Sequence, residues 1–105
     1  IADNGGGIGF AFGEPVTEWQ HIDFQNHQID LCVSEGAPAD NFLGDMRCVP
    51  AEAAADLVNH LAHRGECLEA GHFISTGAAS VPQPFGAGDV VHADFGVLGA
   101  IELRF

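Results

Sequence analysis

The chain has no lysine and no tyrosine, and its only basic residues besides histidine are Arg47, Arg64 and Arg104. Against those three stand 15 Asp and Glu, for a formal charge of -12 at pH 7. A surface so poor in cations repels phosphate backbones and anionic headgroups, so neither nucleic acid nor a membrane surface is an expected partner. Acidic side chains at this density most simply promote solubility. The missing lysine also weakens a nucleotide reading of Gly5, Gly6 and Gly7, which fit neither G-x-G-x-x-G nor the P-loop pattern. Cysteine is sparse: Cys32, Cys48 and Cys67 are odd in number and include no C-x-x-C pair. That excludes a disulfide framework or zinc knuckle and makes reduced, buried thiols in a cytoplasmic protein the expectation. Long apolar runs are absent too. Nothing approaches the roughly 20 residues needed to span a bilayer, and no leader-like segment opens the chain.

What is present suits a small globular fold. At 105 residues the sequence reads as one domain over 1–105, with a modest core. Hydrophobic residues make up 47%, with 14 Gly and 8 Phe, a glycine-punctuated composition that argues against disorder. Strands are expected over 71–77, 89–95 and 98–105, the last two joined by a glycine-containing hairpin. Val91, Ala93 and Phe95 alternate with Val90, His92 and Asp94, while Ile101, Leu103 and Phe105 share a face. Residues 27–34 alternate as well, and Ile8, Phe10 and Phe12 suggest a strand entered through the glycine run.

Residues 50–64 predict the main helix. Pro50 suits its first position, Glu52 the positive end of the dipole, and Gly65 a left-handed close. Ala53, Ala54, Leu57, Val58 and Leu61 form an apolar stripe expected to pack on the sheet. Residues 40–49 read only as loop or short helix. The fold class expected is α+β and β-dominated, a curved mixed sheet of about five to seven strands with one helix on a face. Such a sheet leaves edges, so a homo-oligomer or a completing partner chain is expected to cover them.

Few residues carry a chemical signature. His60 and His63, three apart on the helix, could reach one ion with Asp56 or Glu66, but a solvated helical face is the plainer reading. No G-x-S-x-G elbow surrounds Ser34, Ser75 or Ser80, so serine hydrolase chemistry has no support.

A family resemblance adds sharper expectations. The series "AG, aliphatic pair, Thr76–Gly77, Pro-containing loop, Gly88–Asp89, alternating strand, G-x-x-G, strand ending in Arg104–Phe105" resembles the carboxyl end of the 2-hydroxypentadienoate hydratase and 4-oxalocrotonate decarboxylase family, within the fumarylacetoacetate hydrolase superfamily. The opening IADNGGGIGFAFG is similar to that family's D-N segment, and residues 50–65 fall where it has a helix; residues 14–49 match loosely. The resemblance implies a β-roll of that type and a lyase acting on short 2-oxo or 2-hydroxydienoic acids. It also implies Mg or Mn, held in the family by Glu-x-Glu and a further acidic residue, beside a lysine and an aspartate. Those residues lie upstream of the matched segment, and this chain contains neither Glu-x-Glu nor lysine.

The substrate-binding residues that carry over are therefore Asn4, Gly5, Thr76 and Gly77. Gly5 and Gly6 stand where relatives have small or hydroxyl residues. Thr76 and Gly77 would offer a hydroxyl and an amide to an anionic oxygen; as strand-end punctuation they also have a purely structural reading. No metal ligand is assigned. The chain opens at Ile1 without Met, which under the resemblance falls well inside the family's sequence. Two expectations follow: a partial hydratase or decarboxylase relative, active only with residues absent here, or a non-catalytic binding or assembly module that keeps the scaffold.

Overall fold

Three short antiparallel strands form the only sheet among the described residues of the computed structural model, which are residues 9–105. β1 (Asp30–Val33) pairs with β2 (Val90–Asp94), and β2 with β3 (Ala100–Arg104). The register aligns Leu31, Ala93 and Ile101 in one row and Val33, Val91 and Leu103 in the next, so the period-2 pattern sets one apolar face. Cys32, His92 and Glu102 form a row on the other. β2 turns into β3 through a single 3-10 turn, Gly96–Leu98, closed by Phe95 N–H donating to Gly99 O at 2.8 Å.

The helix α1 spans Pro50–His63 and is closed as the sequence suggests. Gly65 sits at φ 73, with its amide on Ala62 O and the Glu66 amide on Leu61 O, a Schellman close that left-handed glycine permits. Its apolar stripe is only half buried, and Val58 is 47% exposed. This corrects the expectation that the helix packs on the sheet: none of Ala53, Ala54, Leu57, Val58 and Leu61 is fully buried.

Among the described residues the sheet has three strands where five to seven were expected, and it is antiparallel rather than mixed. Residues 71–77 form no strand because Gly71 and Gly77 adopt φ 89 and 133, outside strand backbone, and no partner strand receives them. Residues 9–13 are likewise not in a strand, and the expected strand start at Ile8 lies outside the described residues.

The core is thin. Ile29 and Ala39 are the buried apolar side chains among the described residues, while Phe10, Phe12 and Phe73 cluster at 63 to 65% exposure, Phe12 stacking on Phe73 at 4.8 Å. The accessible surface is 7950 Å², against roughly 5,600 Å² for a compact monomer of this mass. The radius of gyration is 15.3 Å where about 13 Å is usual. No helix among the described residues is long and apolar enough to cross a membrane.

With so little apolar burial, polar contacts between distant loops fix the shape. Asp89, at the entry to β2, accepts the Gly86 amide at 2.9 Å and the Ser34 hydroxyl at 2.8 Å. These bonds, Gly86's first, hold its carboxyl below the ordinary aspartate range. A lowered folded-state pKa contributes stability above the unfolded value, and that stability is lost as pH falls through the folded one. Asp89→Asn is therefore expected to lower the melting temperature slightly at neutral pH, the group being exposed. The difference from the parent should close below the ordinary aspartate range. Melting curves across that range check it; a gap that persists in acid would show that the charge does not carry the contact.

Candidate functional site

The residues that bring the loops together converge on one side chain, Arg47. It follows the 3-10 turn Gly44–Met46 and is 6% exposed. Its Nη1 donates to Phe24 O at 3.0 Å and to His27 O, and its Nη2 donates to Asn41 Oδ1 at 2.9 Å and Ala79 O at 2.7 Å. Asn41 extends the knot: its Oδ1 accepts the Ile29 amide at 2.9 Å and its Nδ2 donates to Ile29 O at 2.8 Å. Three stretches far apart in sequence are thereby held side by side: residues 24–29, 41–47 and 79–80, the last also bridged to Asn41 through Ser80.

Beside this knot opens a cleft of about 220 Å³. Residues 76–79 form one side, Cys48 and Pro50 at the start of α1 another, and Phe24, Ile29, Phe95 and Leu98 supply apolar walls. His27 reaches across, its Nε2 donating to Phe95 O at 2.6 Å, which fixes the hairpin turn against the loop. Gly96 suits the turn by its φ of 62, a left-handed backbone that side chains disfavour. Cys48 Sγ donates to Thr76 O at 3.0 Å, holding residues 76–79 to the helix start.

Of the residues expected from sequence, Thr76 and Gly77 both line this cleft. The Thr76 hydroxyl and the Gly77 amide have no hydrogen-bond partner among the described residues, so both are available to an anionic oxygen. Asn4 and Gly5 lie outside the described residues. His60 and His63 sit in the last turn of α1, exposed and away from the cleft. Arg47 was missed: its hydrogen-bond partners are mostly backbone carbonyls distant in sequence, which leave no side-chain pattern to read.

The side-chain donors of the cleft are His27, Arg47, Cys48 and Thr76, with no carboxylate. Mg and Mn take hard oxygen ligands, chiefly carboxylates, so these residues do not fit either ion. No group of three or more His, Cys, Asp or Glu among the described residues is placed to hold a metal. A second hollow of about 480 Å³, lined by residues 13–16 and the β2–β3 turn, offers Glu14 as its only ionisable side chain and no constellation.

Comparison with known proteins gives one informative similarity. The chain is 43% identical over 56 residues to 2-oxo-hept-4-ene-1,7-dioate hydratase from Escherichia coli, a match covering 53% of this chain. It spans about a fifth of that enzyme's length, 21%. No family model matches the sequence. No solved structure matches it either.

Proposed function

We propose that this chain contributes one wall of a hydratase-type site for a short 2-oxo or 2-hydroxydienoic acid. In that wall Thr76 Oγ1 and the Gly77 amide hold the substrate's carboxylate, and the reaction is reversible addition of water to an enoic acid. The observation that carries this reading is the placement of Thr76 and Gly77, unpartnered, on the one cleft that also receives a buried cation and a helix N-terminus. The partial identity to a hydratase of a seven-carbon dioate supports the reaction class. Mg or Mn, if the reaction uses it, is held by residues other than those lining this cleft.

The surface supports a site completed by further polypeptide, whether a second copy or a partner chain. Phe10, Phe12 and Phe73 on one patch, and Phe85 with Phe105 at 4.2 Å on another, are the natural places to cover. The same exposure favours the second reading, an assembly module that keeps the scaffold without the chemistry.

Calorimetric titration of the chain with 2-oxoglutarate tests the first reading. Binding of one acid per chain in the millimolar range is expected, since one wall supplies few contacts. It should be lost in Thr76→Val, which keeps the shape and removes the hydroxyl, and be indifferent to added Mn. Heats equal to dilution would favour the module instead, and binding that ignores Thr76 would remove Thr76 from the site.

A further inference from the structure

Arg47 is chemically unusual in its setting. All four acceptors of its terminal N–H groups are neutral: three backbone carbonyls and the Asn41 amide oxygen. The other two arginines pair with carboxylates at the surface, Arg104 with Glu102 at 2.7 Å and Arg64 with Glu66 at 3.9 Å. The one deeply buried cation among the described residues thus has no counter-charge among them, a condition proteins otherwise relieve by pairing. Its Nε is buried and has no hydrogen-bond partner, so one guanidinium proton is also without an acceptor.

The open volume that Arg47 borders is the 220 Å³ cleft, whose lining contains no carboxylate. The Thr76 hydroxyl and Gly77 amide on that cleft have no partner among the described residues. Pro50, the first residue of a 14-residue helix, places the positive end of its dipole on the same cleft. The remaining walls, Phe24, Ile29, Phe95 and Leu98, are apolar.

We propose that this cleft is a carboxylate-binding site in which the unpaired charge of Arg47 provides the attraction, and that its ligand is a short-chain acid with an apolar stem. The proposal rests on the cleft being the acid's site in the reading above, and adds the group that selects the anion. The volume falls below the roughly 300–1,000 Å³ of clefts that enclose drug-sized ligands, which favours a short-chain acid over a nucleotide. The apolar walls favour a carboxylate with a stem over inorganic phosphate, whose oxygens would be desolvated against Phe24, Ile29, Phe95 and Leu98.

The test uses the small number of arginines. Their three Nε–H resonances are separable by 15N NMR, with Arg64→Lys and Arg104→Lys assigning the other two. Butyrate is expected to shift the Arg47 Nε–H saturably and leave the other two unmoved, and inorganic phosphate at equal ionic strength to leave all three unmoved. Ala78→Phe, which fills the cleft from an exposed position without touching the hydrogen bonds of Arg47, should abolish the shift while amide dispersion reports a retained fold. The proposal is overturned if butyrate leaves Arg47 still, moves all three arginines alike, acts equally on Ala78→Phe, or is outdone by phosphate. Because this readout follows Arg47 alone, it can fail while 2-oxoglutarate still binds through Thr76, or succeed while Thr76→Val changes nothing, so the two readings fall separately.

Discussion

Arg47→Ala is expected to cost more stability than any other single substitution in the chain, enough to leave little folded protein at 25 °C. The variant removes the side-chain donors of Phe24 O, His27 O and Ala79 O and leaves Asn41 Oδ1 with the Ile29 amide alone. Buried acceptors without donors cost about 1–3 kcal/mol each, and removing one member of a buried charged network typically costs about 3–5 kcal/mol in all. Taking a charge out of the interior works in the opposite direction, and replacing buried ionic groups by apolar ones can be neutral or stabilising. That gain requires both sides of the contact to go, and here three acceptors are backbone carbonyls that no substitution removes. The loss therefore wins.

It falls on a chain whose buried apolar side chains among the described residues are Ile29 and Ala39. Such a chain sits near the lower end of the usual stability range, about 5 kcal/mol. Arg47→Lys should rescue little, because one ammonium with three donors cannot span acceptors arranged for a planar fork. Urea denaturation followed by the fluorescence of Trp19 reads the effect. A midpoint for Arg47→Ala close to the parent's would show that the loops are held by something else.

Those parts of the fold that depend on local pattern were legible in the sequence. The helix start at Pro50, its close at Gly65 and the alternation of β1, β2 and β3 are set by residues within a few positions of each other. Elements that depend on what lies opposite were not. Residues 71–77 carry a strand-like run, but Gly71 and Gly77 take left-handed φ values and the run meets no edge. The helix has an amphipathic stripe, but no pattern in the stripe states how much of it finds a surface.

For the site, Thr76 and Gly77 were indicated by resemblance and are brought together with a helix start by a hydrogen bond from Cys48, 28 positions away. Arg47 was illegible as a site residue because its partners lie 6 to 32 positions away and are mostly backbone carbonyls, which no side-chain pattern encodes.

A second large effect is expected in enzymatic turnover. Under the proposal that this chain forms one wall of a hydratase site, it should be exchangeable for the segment of the Escherichia coli hydratase to which it is similar over 56 residues. The resulting chimera would restore residues that this cleft lacks, including any that hold a metal ion. Within it, Thr76→Val removes a hydrogen bond to a charged group, about 1.5–3 kcal/mol, which corresponds to roughly 10–100-fold. Because the carboxylate is held in ground and transition states alike, the loss should fall on KM and spare kcat.

The measurement that tests the account most directly is steady-state hydration of 2-oxo-hept-4-ene-1,7-dioate by that chimera, with and without Thr76→Val. The account predicts turnover within about 100-fold of the parent hydratase and a KM raised 10- to 100-fold by the substitution. A folded, metal-binding chimera that hydrates nothing, or one whose KM ignores Thr76, would contradict it.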